Sequence, residues 1–467
     1  MYLSEVDKPA SGDRTAPSPT TRVAATVLAL GTVSLITDVS AEMVTAVLPL
    51  YLMLGLHLGP LGYGVIDGLY TGATALLRLV GGYLADRVRR RKAVALTGYG
   101  ASAVAKLGLL AAGSSVPVLS AVIVADRAGK GLRTAPRDAL ITLSTPPDRL
   151  GRAFGVHRAM DSVGAFAGPL VALAVLAASA QSFDAVFVTS FCIAALGVFV
   201  LAAFVPEHRG PEHHRPAPGG AVPAAATTAT GAGTGAAIGP ATGAGTGAVI
   251  GPGTATATRR SVSPRAALAL LRRRDFRLVV LAATVLGLAT IGDGFVYLIL
   301  QRRYDLAAGW FPLLAVGTSL SYLLLAIPVG HLADRVGRGR VYLGGYGALV
   351  AVYLILAAGL GGMATLVITI ALYGAFYAMT DGVLMAVAGP LLPEALRTTG
   401  IALVQSGQSL AYLVSSILFG AAWQLCGPGP ALLAGAGMAA AALAVVARVL
   451  PGTPRATAGG KGAATGA

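Results

Sequence analysis

The chain has no asparagine, only two cysteines and two tryptophans, and little charge: 12% of its 467 residues are Asp, Glu, Lys or Arg. Each shortage excludes something. Cys192 and Cys426 both lie in apolar runs and imply no disulfide framework, and with six histidines the chain is too poor in His and Cys for a zinc cluster. A soluble domain carries roughly 25% charged residues, so a water-exposed globule is excluded as well. The missing asparagine, with arginine far ahead of lysine, reads as base-composition bias without functional content. Motifs of enzyme chemistry are absent too. There is no G-x-S-x-G, no H-E-x-x-H and no P-loop, since Gly129-Lys130 lacks the upstream glycine and a following Ser or Thr. A hydrolase, a zinc enzyme and an ATP-driven pump are all disfavoured.

What the chain has in excess is apolar sequence: 55% of it is hydrophobic, with a mean hydropathy of +0.73. Apolar runs of about 20 residues recur along it, each long enough to cross ~30 Å of hydrocarbon as a helix. The short alternating segments of a membrane barrel are not found. Spans are predicted near 23–55, 62–85, 93–113, 116–138, 151–178 and 184–205, then near 276–301, 309–333, 340–360, 363–388, 399–425 and 430–450. The expected organisation is a tail over 1–22, a six-helix bundle over 23–205, a linker over 206–275, a second six-helix bundle over 276–450 and a tail over 451–467. Residues 1–21 lack the apolar core of a cleaved signal, so the first span itself is expected to direct insertion.

The net charge of +15 invites a nucleic-acid reading, which the placement of the charges argues against. Lys and Arg gather at alternate segment ends: Arg87 to Lys92, Arg149 and Arg152, Arg259 to Arg277, Arg335 to Arg340, and Arg397. This positive-inside pattern places both termini and the central linker in the cytoplasm. Within the linker, ATGAGTGAAIGP at 229–240 is repeated as ATGAGTGAVIGP at 241–252, a composition too poor in buriable side chains to order itself. The collar Arg272-Arg-Arg-Asp275-Phe-Arg277 suits anionic lipid headgroups.

The chain also repeats itself. Gly82-Tyr-Leu-Ala-Asp86-Arg87-Val returns 248 residues later as Gly330-His-Leu-Ala-Asp334-Arg335-Val, and both copies lie between apolar segments. The second copy continues with Gly337, where the first has Arg89 and so lacks a residue that readily takes positive φ.

Charges inside the spans are the candidates for function, since an ionised group in lipid is costly and persists where it pairs or works. In the first span Gly31, Ser34, Asp38, Glu42 and Thr45 form one helical stripe. In the fourth, Asp126, Lys130, Arg133 and Arg137 form one stripe and Arg127, Thr134 and Asp138 another; Arg133 to Asp138 suit either snorkelling or a cytoplasmic gate. In the fifth, His157, Asp161, Gly164 and Gly168 share a face, with Arg158 beside them and Pro169 following. That histidine reads equally as a proton relay or as a hydrogen-bonded structural group. Gly164 and Gly168 permit close helix approach. The second half offers Asp293 and Tyr297 in the seventh span, Asp381 in the tenth, and Gln405, Gln408, Tyr412 and Ser415 on one face of the eleventh.

The doubled loop motif, with two six-helix halves and a long linker, resembles the major facilitator superfamily over roughly residues 23–450. Arg127 to Gly131 is similar to that family's fourth-span motif, implicated in proton transfer. Gly164-x-x-x-Gly168-Pro169 resembles its fifth-span motif, found mainly in exporters, although Ala172 and Leu173 stand where the motif has a glycine pair. The run Asp126–Asp138 followed by Gly151 to Arg158 resembles a bacterial exporter-like subgroup. The resemblance implies an all-α membrane protein of about twelve transmembrane helices in two pseudo-symmetric bundles, with a central cavity opening alternately to each side. It implies that Asp86 and Arg87, with their counterparts Asp334 and Arg335, hold a cytoplasmic gate that Arg133 and Arg137 adjoin. It also implies a monomer in the bacterial cell membrane, driven by a proton gradient without cofactor or metal.

The leading expectation is proton-coupled efflux of a small organic molecule, with Asp38 or Glu42 carrying the proton. A second reading is a proton-coupled importer that holds an organic anion with the basic residues of spans four and five. A third is a non-transporting membrane sensor.

Overall fold

The computed structural model describes residues 25–87, 91–146, 149–206, 270–381, 383–388, 391–392 and 397–449. The expected tails, the linker repeat and the loop residues 88–90 lie outside these, and so do the side chains of Asp86 and Arg87. Among the described residues the chain is helical, with no strand. The first half holds α1 (Ala25–Leu50), α2 (Pro60–Arg87), α3 (Arg91–Ala111), α4 (Val116–Leu143), α5 (Leu150–Ala178) and α6 (Phe183–Phe204). The second holds α7 (Arg274–Leu288), α8 (Asp293–Arg303), α9 (Pro312–Val336), α10 (Arg338–Ala358), α11 (Met363–Thr380), α12 (Val383–Ala388), α13 (Arg397–Cys426) and α14 (Pro428–Val449).

Helices are what lipid demands, because each satisfies its own backbone groups. Among the described residues, ten stretches are long and apolar enough to cross a membrane. The remaining two long helices, α2 and α4, are 28 residues each and pack among these ten. Local chemistry marks several ends. Ser182 caps α6 by accepting from Ala185 N at 3.2 Å, and Pro312 opens α9. Gly337 turns the chain between α9 and α10 at φ 107°, a conformation its sequence-level counterpart Arg89 is poorly suited to adopt.

The two halves repeat one packing scheme. α1 lies on α5, α2 on α4, α3 on α4, and α3 on α6; the same pairings recur as α7 on α13, α9 on α11, α10 on α11, and α10 on α14. The halves meet chiefly where α2 crosses α13 and α5 crosses α9.

Two spans expected to be continuous are broken. The seventh divides at Ala289–Gly292 into α7 and α8, and the tenth divides at Asp381 into α11 and α12. The freed backbone groups at the first break are met by buried side chains: Ser415 Oγ donates to Thr290 O at 2.8 Å, and Ile291 N donates to Tyr353 Oη at 2.7 Å. Irregular backbone at membrane depth is tolerated where neighbours satisfy it in this way or where it lines a cavity. Both breaks fall beside an aspartate.

At the face where α1 ends and α2 begins, called the distal face below, the halves are sealed. α2 and α13 touch backbone to backbone, so that a Cβ on Gly64 would come within 2.4 Å of Ser416 O and one on Gly420 within 2.5 Å of Pro60 O. Next to this seam the Phe295 ring packs against Tyr63 at 4.6 Å, Phe419 at 4.9 Å and Trp423 at 5.6 Å, joining both halves in one aromatic plug.

Candidate functional site

A cavity of about 370 Å³ lies between the halves, beside the plug. α1 contributes Glu42 and Thr45, α2 contributes Tyr63, Asp67 and Tyr70, and α5 contributes Pro169. From the second half come Asp293 and Tyr297 on α8, Tyr322 on α9, Tyr377 on α11, Asp381 at the break, and Tyr412 on α13. No Lys, Arg or His is among the described lining residues.

The position of Glu42 follows from the glycines opposite it. A Cβ on Gly168 would stand 2.6 Å from Glu42 Cβ and 2.8 Å from Val39 O, and one on Gly164 would stand 2.6 Å from Leu35 O. Only glycine lets α5 lie this close to α1, and Pro169 then forms part of the wall. Glu42 has no hydrogen-bond partner among the described residues and faces Lys130, Asp38 and Arg127, with Asp293 opposite. Asp38, one turn away, is engaged by Arg133 at 3.7 Å and is not among the lining residues.

Asp293 stands in the first turn of α8, where the helix N-terminus favours a carboxylate. Its Oδ1 accepts from Tyr373 Oη at 2.6 Å and from Tyr377 Oη. Tyr297, one turn on, is 8% exposed and lies edge-on to Tyr373. Asp381 is exposed and accepts from Tyr322 Oη at 3.4 Å.

The arginines of α4 that carry the sequence stripes lie behind the cavity wall. Asp126 accepts from Ser102 Oγ and from Arg127 Nε at 2.9 Å, with Lys106 Nζ 3.7 Å away. The Arg127 guanidinium stacks over the Tyr70 ring at 3.7 Å, so one aromatic ring separates it from the cavity. Asp126, Arg127 and Lys106 adjoin a second, much smaller cavity. Arg133 also lies over Tyr99, 4.5 Å from the ring centroid. Arg137 contacts Asp138 at 3.0 Å and Asp161 at 3.9 Å, and donates to Ser34 Oγ at 3.1 Å. His157, 1% exposed, bonds Ser34 Oγ through Nε2 at 3.1 Å and meets Asp161 through Nδ1 at 3.4 Å. This knot ties α1, α4 and α5 together, while Arg158 is exposed beside it.

The remaining candidates do not line the cavity. Gln408 packs its backbone and Cγ against Gly287 of α7, and Gln405 is exposed. Of the expected gate residues, Asp334 meets Arg338 within its own loop at 3.5 Å, and Arg335 is exposed.

Asp67 is the residue that sequence reasoning passed over. It accepts from Ser416 Oγ at 2.7 Å, Tyr412 Oη at 3.4 Å and, within α2, Tyr63 Oη at 3.3 Å. It therefore bridges the two halves at the floor of the cavity. The signal was available: Tyr63, Asp67, Tyr70 and Thr74 run at helical spacing, and Asp67 is the first carboxylate of α2.

The family model of the Major Facilitator Superfamily matches residues 30–317 and 295–466, together most of the chain. The chain belongs to the major facilitator superfamily. It is a multi-pass membrane transporter and not an enzyme. An uncharacterized MFS-type transporter of Methanocaldococcus jannaschii is 28% identical over 410 residues, covering 85% of this chain and 88% of that one. An uncharacterized protein of Mycobacterium tuberculosis is 36% identical over 158 residues, covering 34% of this chain and 38% of that protein. Among solved structures, the nucleoside transporter NupG superposes with a TM-score of 0.68 at 13% identity, covering 91% of this chain and 99% of that one. A bacterial homologue of the lysosomal transporter Spinster, in an inward-facing and unoccupied conformation, superposes with a TM-score of 0.60 at 15% identity, covering 91% and 94%. At these identities the superpositions speak for the fold of this superfamily member and not for its substrate.

Proposed function

We propose that this transporter exports a small organic molecule in exchange for protons, by alternating access through the cavity between its halves. The observation that carries the reading is Glu42: a cavity-facing carboxylate on the first helix, without a hydrogen-bond partner among the described residues. Lys130, Asp38, Arg127 and Asp293 are the charged groups facing it. A proton and a solute that compete for this carboxylate are coupled without further machinery, because each biases the same equilibrium between the two open states. Asp38, engaged by Arg133, serves as its electrostatic neighbour and Glu42 as the proton carrier.

Termini in the cytoplasm make the sealed distal face the outer one, so this conformation would load from inside. The Gly164–Gly168–Pro169 packing of α5 on α1 supports Glu42 as the coupling carboxylate, since it sets the position of that side chain at the cavity wall. The lining supports this reading over an importer of organic anions, because Arg127, Arg133 and Arg137 of α4 are paired behind the wall and Lys130 faces Glu42. It also supports a transport path over a sensor, because carboxylates of both halves converge on one cavity. The test is solute-driven proton movement in everted and right-side-out vesicles holding the protein. Export by antiport predicts that an added solute dissipates an inside-acid gradient in everted vesicles, and a gradient left intact by every solute would refute it.

A further inference from the structure

The lining of the cavity points to a solute class. Four carboxylates face one space: Glu42 and Asp67 from the first half, Asp293 and Asp381 from the second. Six tyrosines complete the wall, and no basic side chain is among the described lining residues. The nearest guanidinium, that of Arg127, is held by Asp126 and screened by the Tyr70 ring. The cations facing Glu42, Lys130 and Arg127, both belong to α4 and are not among the described lining residues. Asp67, Asp293 and Asp381 instead take hydroxyl hydrogen bonds from Ser416, Tyr373 and Tyr322, which orient their oxygens.

We propose that the transported solute is an organic cation, held by the carboxylates of both halves and by tyrosine faces. This rests on the reading of the cavity as the transport path, and adds the substrate class. The physical reasons are independent of one another. Aromatic faces attract cations and repel anions through their quadrupole. Carboxylates that converge in a space partly shut from water favour a cation and exclude an anion, which would have to enter against several like charges. The volume of about 370 Å³ matches a monovalent organic cation of drug size better than a bare metal ion. The carboxylates also come from opposite halves, so a bound cation draws the halves together and a departing one releases them.

The test is equilibrium binding to the purified full-length protein in detergent. The cations are benzyltrimethylammonium, ethidium and tetraphenylphosphonium; benzoate and tetraphenylborate are the anionic counterparts of similar shape. Saturable cation binding with no anion binding is expected, and Asp293→Asn and Asp381→Asn should each weaken it about tenfold. Asp381 is exposed at a helix break, so its variant tests the idea even if the Asp293 variant is poorly folded. Anions bound more tightly than their cationic counterparts would overturn the proposal, as would cation binding unchanged in both variants. The two readings fail separately. Benzoate moved with protons would sink the cation proposal and leave proton coupling standing. Cations bound as expected but never moved by a pH gradient would sink proton coupling alone.

Discussion

Asp67→Ala should unlatch the distal seam. The carboxylate accepts one close hydrogen bond from Ser416 Oγ at 2.7 Å and two long ones, from Tyr63 at 3.3 Å and Tyr412 at 3.4 Å. A hydrogen bond to a charged acceptor contributes ~2 kcal/mol, and the long ones ~0.5 kcal/mol each. The bonds to Ser416 and Tyr412 cross between the halves and exist only while the seam is closed. Together with the buried Ser416 hydroxyl left unpaired, the substitution removes about 3 kcal/mol from the sealed state. That shifts the balance between sealed and open distal faces by about a hundredfold. Spin labels at Leu54 and Leu425, exposed on the distal ends of opposite halves, report the opening as a longer interspin distance. The exposed Cys192 and Cys426 are first replaced by serine. A dominant short distance that gives way to a long one in the variant is expected. An unchanged distribution, in a variant that still melts cooperatively, would refute the latch.

Three further substitutions probe the supports of the site. Asp126→Ala leaves Lys106 and Arg127, 5% and 4% exposed, without their carboxylate, and should cost ~3–5 kcal/mol of stability, read as a lower melting temperature in detergent. Gly168→Ala forces a methyl to within 2.6 Å of Glu42 Cβ; overpacking of about 1–3 kcal/mol and impaired gradient-driven transport are expected, and unchanged transport would contradict the close-approach argument. Ser415→Ala strips the break in the seventh span of its donor to Thr290 O and should cost ~1–3 kcal/mol, measured by thermal unfolding.

How legible the molecule was in its sequence depended on whether a signal was local. The loop repeat around Asp86 and Asp334 foretold two similar halves, and the packing pairs of the two halves indeed correspond. The stripe of Asp38 and Glu42 was readable because helical spacing alone assigns a face. Which of the two looks into the cavity was not readable, because that depends on Arg133 reaching Asp38 from another helix. The charges of α4 were legible only in part, for a similar reason. Spacing placed Asp126 and Arg127 inside the membrane but could not show that they are paired behind Tyr70. The helix break at Ala289–Gly292 was hidden, since Thr, Ile and a single Gly occur inside continuous helices too, and the break is held open by Ser415 and Tyr353 from distant helices. Asp67 was missed because a lone carboxylate among apolar residues carries no pattern of charge, although its tyrosines did.

The central claim, that Glu42 couples a proton to a solute, is tested most directly by Glu42→Gln in proteoliposomes. The amide keeps the size of the side chain and cannot take up or release the proton. Solute exchange between equal pools should survive in the variant while accumulation driven by a pH gradient is lost. Gradient-driven accumulation equal to that of the unaltered protein would contradict the account.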